Sequence, residues 1–155
     1  MAAPPALSIR EQLCLDLVST LQGVTIANGY TWDIGTVSRG QLAPLEISLL
    51  PLAAVMPLQD IPVYGAGVLR RTFTVKLRLW VDVALKAETA PGLESLLADV
   101  QRAIRVDAQR STLAEDTREV DITYLYLVES ETLAGADLDI EIDYRTDLDS
   151  PLVAA

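Results

Sequence analysis

The sequence predicts an α+β fold, a largely antiparallel, mixed β-sheet with two main helices packed on one face. Two segments carry apolar residues at helical spacing, and several others alternate apolar with polar residues. Their order is helix, two short strands, one long strand, helix and hairpin. The 155 residues suit a single domain. We place that domain at residues 8–149, with a disordered N-terminal arm at 1–7 and a C-terminal tail at 150–155.

Two helices are predicted from start signals and apolar periodicity. Ser8 is a candidate N-cap with Glu11 three residues later, and Gly23 ends the first helix. Pro91 opens the second helix, with Thr89 as its candidate cap. The stripes expected to face the sheet are Ile9, Leu13, Leu17 and Leu21 in the first helix and Leu93, Leu96, Leu97, Val100 and Ile104 in the second.

Strands are predicted wherever apolar and polar residues alternate. The longest has Phe73 and Val75 on one face and Thr72 and Thr74 on the other. A polar stretch lacking such alternation precedes the last two strands, which form a hairpin. The predicted strands are residues 30–34, 45–49, 71–83, 120–128 and 137–144.

Residues 51–67 contain three prolines and two glycines and show no clean period. This composition predicts a long loop, mobile or occupied by a partner.

The composition disfavours several classes of function. The chain has 12 Lys and Arg residues, 22 Asp and Glu residues and no His, for a net charge of −10, so a phosphate-binding surface is not indicated. Without His the chain cannot form a Ser-His-Asp catalytic triad, and Gly65-Ala66-Gly67 matches no nucleotide-binding fingerprint. The uncharged stretch 47–59 falls short of the ~20 residues of a membrane span. We predict no enzyme, no cofactor, no metal and no membrane contact.

The negative charge lies in the second half of the chain. Residues 1–80 have a net charge of +1 and residues 81–155 a net charge of −11. Alternation in the last strand sends four acids to one face, namely Asp137, Asp139, Glu141 and Asp143. Three interpretations of these acids stay open: a solvated face, a surface that repels a partner, and a carboxylate pair for glycoside hydrolysis.

Five residues are candidates for contact with another subunit or a partner. Tryptophan is favoured at interface cores, and paired arginines suit an acidic partner. For the tryptophans the alternative is burial against the helices, and for the arginine pair it is a solvated strand start. The candidates are Trp32, Arg39, Arg70, Arg71 and Trp80.

Over residues 8–148 the chain resembles the tail terminator, or tail completion, proteins of long-tailed bacteriophages and prophages. The resemblance lies in the first helix leading into Ala27-Asn28-Gly29-Tyr30, then Asp33-Ile34-Gly35 and Arg39-Gly40. It continues through the long strand, the second helix and a final hairpin ending Tyr144-Arg145-Thr146-Asp147.

The resemblance implies a structural virion protein, assembled in the bacterial host cytoplasm, that forms a hexameric ring at the end of the tail tube. The implied partners are further copies of the chain, the tail tube protein and a head-completion or neck protein. DNA would pass through the lumen without specific binding. From the strand alternation and the negative charge, we expect at least some of Asp137, Asp139, Glu141 and Asp143 to face that lumen as a lining that repels DNA. Two alternatives stay open: a neck or head-closure ring of the same virion, and a small-ligand binding domain or enzyme using residues 51–67 as a lid.

Overall fold

The computed structural model describes residues 6–40, 50–64, 68–82, 89–126, 133–147 and 150–154. Within them lie two helices, α1 (Ile9–Gln22) and α2 (Thr89–Val106), and a short 3-10 helix, Ile26–Asn28. The strands are β1 (Thr36–Arg39), β2 (Leu52–Tyr64), β3 (Val68–Asp82), β4 (Asp116–Tyr126), β5 (Leu133–Asp147) and β6 (Ser150–Ala154). None of the described helices is both long enough and apolar enough to cross a membrane.

The strands form one mixed sheet in the order β1-β2-β3-β5-β4, with β6 also paired to β5. β1 runs parallel to β2, and every other pairing is antiparallel. Both helices pack on the face of β3 that carries Val75 and Leu77, with Leu13 of α1 and Leu96 of α2 in the same core. The predicted α+β class, the mixed sheet and the shared helix face are therefore confirmed.

Both helices were predicted close to their observed ends. Ser8 caps α1, since its hydroxyl accepts a hydrogen bond from the amide of Glu11 at 3.2 Å. α2 begins at Thr89 itself, so this residue lies in the helix and does not precede it. All nine predicted stripe residues are buried. Cys14 lies beside the stripe of α1, where burial raises the pKa of its thiol to about 11.

The predicted strand at residues 30–34 is wrong. The backbone amides of Thr31 and Trp32 donate to the Asp99 carboxylate of α2, at 2.9 and 2.8 Å, and Asp33 accepts from the amide of Ile26 at 2.6 Å. Side chains thus take the bonds that a neighbouring strand would otherwise supply. The predicted strand at 45–49 lies outside the described residues.

The predicted loop at 51–67 is also wrong, because most of it is strand β2; residues 65–67 lie outside the described part. Among the described residues, β1 pairs only with Leu52–Val55, so Pro57 and Pro62 lie on an edge of the described sheet, where a missing amide costs little. A bulge between Pro57 and Gln59 interrupts the alternation and hides the strand from a period search.

One end of the chain differs from the prediction. Residues 150–154, predicted as a tail outside the domain, form β6 and pair with β5. Of the predicted arm, residues 1–5 lie outside the described residues, and Ala6 and Leu7 precede the helix cap.

Trp80 lies on the sheet face opposite the helices, and its ring covers Gly135 on β5. A Cβ at Gly135 would lie 2.5 Å from Trp80 Cε3 and 2.9 Å from the Leu79 carbonyl oxygen. Because a backbone atom is involved, we expect Gly135→Ala to lower the free energy of unfolding by about 1–3 kcal/mol, measured by urea denaturation. The control is Gly23→Ala, whose Cβ meets nothing nearer than 3.3 Å. Equal stability of the two variants would contradict the prediction.

Candidate functional site

The sheet face opposite the helices, here called the second face, carries the four predicted acids. β5 alternates buried Leu138, Ile140 and Ile142 with these acids, as predicted. The register of β3 and β4 against β5 places cations beside them, which sequence spacing alone did not indicate.

Asp137 is the most buried of the four acids, at 3% exposure. Its carboxylate accepts hydrogen bonds from Arg78 Nε at 2.8 Å and Arg78 Nη2 at 2.9 Å, and Lys76 Nζ lies 3.3 Å away. Burial alone would raise the pKa of Asp137, but the bonds and charge of Arg78 and Lys76 outweigh it and lower that pKa. Asp137 is therefore a buried ion-pair partner, and the solvated reading does not hold for it.

Asp143 and Glu141 share one cation, Arg118 of β4. Asp143 also accepts a hydrogen bond from the Thr72 hydroxyl at 2.9 Å. The Arg118 bond is the main reason why the pKa of Asp143 is lowered, and burial opposes it. Three of the four predicted acids are thus paired within the chain.

Asp139 differs from its neighbours. Burial raises its pKa, and the nearby charges of Asp137 and Asp121 add to this effect against the opposing charge of Lys76. Its Oδ1 is buried and has no hydrogen-bond partner among the residues described.

Of the five contact candidates, the two tryptophans lie inside the subunit. Trp32 packs in the main core, and its Nε1 donates to Ser95 Oγ at 2.7 Å. Trp80 is buried with Leu50 and Leu52. Their positions favour the burial alternative over an exposed contact in the single chain.

Adjacent arginines on β3 point to opposite faces. Arg71 joins a polar cluster on the helix face, where Asp60 Oδ2 accepts from Arg71 Nη1 at 3.3 Å, Arg10 Nη1 at 3.0 Å and the Tyr144 hydroxyl at 2.6 Å. Burial raises the pKa of Tyr144, and the hydrogen bond to Asp60 adds to it. Arg70 is exposed on the second face. Of the two, only Arg70 is placed to meet a partner.

Arg39, the fifth candidate, is exposed at the end of β1. It pairs with Glu11 of α1, its Nη2 lying 3.0 Å from Glu11 Oε2. The pair links β1 to the first helix.

The distal half of β2 is a surface that the sequence reading missed. It carries four exposed apolar side chains, here called the arm surface: Leu58 (51%), Ile61 (46%), Val63 (57%) and Tyr64 (77%). The buried residues of β2 all lie in its first half, beside β1. The alternation of Ile61 and Val63 with proline was the available signal, and the bulge at Leu58 obscured it.

Three shallow cavities lie along the described part of the chain. The one between the C-terminal ends of α1 and α2 measures about 310 Å³ and holds one carboxylate, Asp107. Asp107 already accepts backbone bonds from Gln109 at 3.1 Å and Ser111 at 2.6 Å. Over the described ranges no group of three or more Cys, Asp or Glu residues is arranged to hold a metal ion. The described residues offer two surfaces for contact, the second face and the arm surface.

Comparison with known proteins adds little to this geometry. No protein-family profile matches the chain, and no curated sequence is significantly similar to it. Among solved structures, the chain aligns with a chain of the virion of a native gene transfer agent particle. The TM-score is 0.45 at 15% identity, and the alignment covers 91% of this chain and 96% of the other. A likeness at this level supports no conclusion about function.

Proposed function

We propose that this chain is a structural subunit of a phage-like virion that forms a ring at the end of the tail tube, stops tube growth and offers a docking surface to head or neck proteins. The observation that carries the proposal is the arm surface, a row of exposed apolar side chains along an edge strand, with Ile61 and Val63 on the second face and Tyr64 on the helix face. Such a row is typical of surfaces that become covered on assembly. The sequence resemblance to tail terminators supports the same role.

The second face fits the channel of such a ring. Lys76 and Arg78 are held by Asp137, and Arg118 is held by Glu141 and Asp143. Cations already engaged by carboxylates are poorly available to DNA phosphates, whereas unpaired Lys and Arg would retain the duplex. Arg70, exposed at the arm-surface end of this face, is not engaged in this way, so the proposed lumen region is limited to the part of the face between Asp137 and Asp143. We therefore propose that Asp137, Asp139, Glu141 and Asp143 form the lumen face. These carboxylates act by pairing with the Lys and Arg side chains of this face as much as by repelling DNA phosphates.

The alternative of a small-ligand binding domain or enzyme requires residues 51–67 to act as a lid. The structure disfavours it, because residues 52–64 form a sheet strand. The neck or head-closure ring remains the second candidate, since the arm surface would serve it equally. Both roles place the chain in the virion, at the tail or neck.

The test combines negative-stain imaging with tube binding. We expect purified protein, alone or with tail tubes, to give rings of six subunits that cap tube ends. A strict monomer in sedimentation that also leaves tube ends bare would contradict the proposal. Binding to portal complexes in place of tubes would assign the chain to the neck ring.

A further inference from the structure

The two strands with an open side among the described residues, the distal half of β2 and β4, run in opposite directions. β2, β3, β5 and β4 are neighbours in that order, and each pairing is antiparallel. The distal half of β2 extends beyond β1, and within the described part of the chain no strand pairs with the outer side of β4. A copy placed head to tail therefore presents its β4 antiparallel to the β2 of its neighbour.

Each of these two edges carries an exposed apolar residue at a bulge. Leu58 is the bulge residue of β2, and Val120, which is 53% exposed, is that of β4. One row of paired residues crosses the sheet from Pro57 on β2, through β3 and β5, to Glu119 on β4. Leu58 and Val120 are the residues that directly follow the two ends of this row. The two apolar bulges thus lie at nearly the same height on opposite edges.

The unpaired charges beside these edges are of opposite sign; Arg118, which lies between Asp116 and Val120 on β4, is held by Glu141 and Asp143. Arg70 is exposed next to the arm surface, across from Val63. On β4, Asp116 and Asp121 are exposed around Val120. No described residue forms an ion pair within 4.0 Å with Arg70, Asp116 or Asp121. Opposite charges on two surfaces steer their encounter and fix their register.

We infer that the arm surface of one copy docks on the β4 edge formed by Asp116, Val120 and Asp121 of a second copy. The contact is made by side chains, because Pro57 and Pro62 lack amide hydrogens and both edges are bulged. Repeated head to tail, such a heterologous contact builds a ring when the rotation between neighbouring copies closes, and an open filament when it does not. The inference rests on the proposed ring and specifies which surfaces build it.

A charge swap tests the contact in the full chain. We expect Arg70→Glu and Asp116→Arg each to weaken self-association about tenfold or more in sedimentation velocity, since each places like charges together. Arg70→Glu combined with Asp116→Arg should restore the association constant to within about threefold of that of the original chain. Val63→Asp should abolish assembly while keeping the melting temperature, because Val63 is exposed in the single chain.

The matched control is Arg102→Glu, the same charge change on α2, away from both edges. Arg102 also donates to the Gly29 carbonyl and covers the Tyr30 ring, so its melting temperature is measured alongside; the folded variant should assemble normally. Single reversals that assemble like the original chain, or a double reversal no better than either one, overturn the inference while leaving the ring proposal intact. Assembly through this contact without capping of tail tubes overturns the proposed function alone. A chain that stays monomeric at every concentration, with and without tubes, overturns both.

Discussion

Replacing Arg110 by alanine is expected to lower the free energy of unfolding by about 3–5 kcal/mol, the cost of breaking a buried ion pair. Arg110 is 0% exposed and lies between α1 and the end of α2. Its Nη1 donates to Thr20 Oγ1 at 3.1 Å and lies 3.3 Å from Asp16, and its Nη2 donates to the Ile104 carbonyl at 2.6 Å. Burial lowers the pKa of this guanidinium, and the Asp16 charge opposes the effect.

Two variants separate this contribution from an ordinary loss of surface charge. Arg110→Lys keeps the charge but cannot reach all the acceptors at once, so it should recover only part of the loss. Arg105→Ala removes an arginine whose side chain is 72% exposed and should change stability by less than about 0.5 kcal/mol. Equal unfolding midpoints for Arg110→Ala and Arg105→Ala would contradict the prediction.

Asp137→Asn is expected to cost about 2–3 kcal/mol at neutral pH, because Arg78 and Lys76 lose their shared carboxylate. The folded-state pKa of Asp137 is lowered, so its contribution is present above the ordinary Asp pKa of about 4 and is lost as pH falls through the lower folded value. The original chain should therefore lose stability on acidification more steeply than Asp137→Asn. Urea midpoints between pH 2 and 7 measure this difference.

Asp139→Asn is the matched control on the same strand face. The pKa of Asp139 is raised, so its ionised form is disfavoured in the folded state, and removing the charge should leave neutral-pH stability unchanged or increased. A loss equal to that of Asp137→Asn would show that the distinction between the two carboxylates is wrong.

The sequence predicted best where a period runs long without interruption. α1, α2 and β3 each carry an uninterrupted apolar pattern, and each was placed to within a few residues. β2 was missed because its prolines and bulge conceal an edge strand. The turn after α2 gave no glycine or asparagine signal, although Arg110, Ser111 and Thr112 all adopt positive φ.

The second face was predicted only in part. Strand alternation placed Asp137, Asp139, Glu141 and Asp143 on one face, but it could not say what lies across from them. The pairing of Asp137 with Arg78, 59 residues away, depends on the register of β3 against β5. Such long-range register is set by the packed sheet rather than by local sequence.

The central position of β3 also determines when this chain can fold during synthesis. Its β2 side can pair as a local hairpin, but its β5 side must wait until residues 133–147 have left the ribosome. Until then the nascent chain exposes an unpaired edge at the middle of the future sheet, with both helices already made. Products truncated before β5 should therefore be prone to aggregation and rapid proteolysis, and the sheet should close only after β5 has been made.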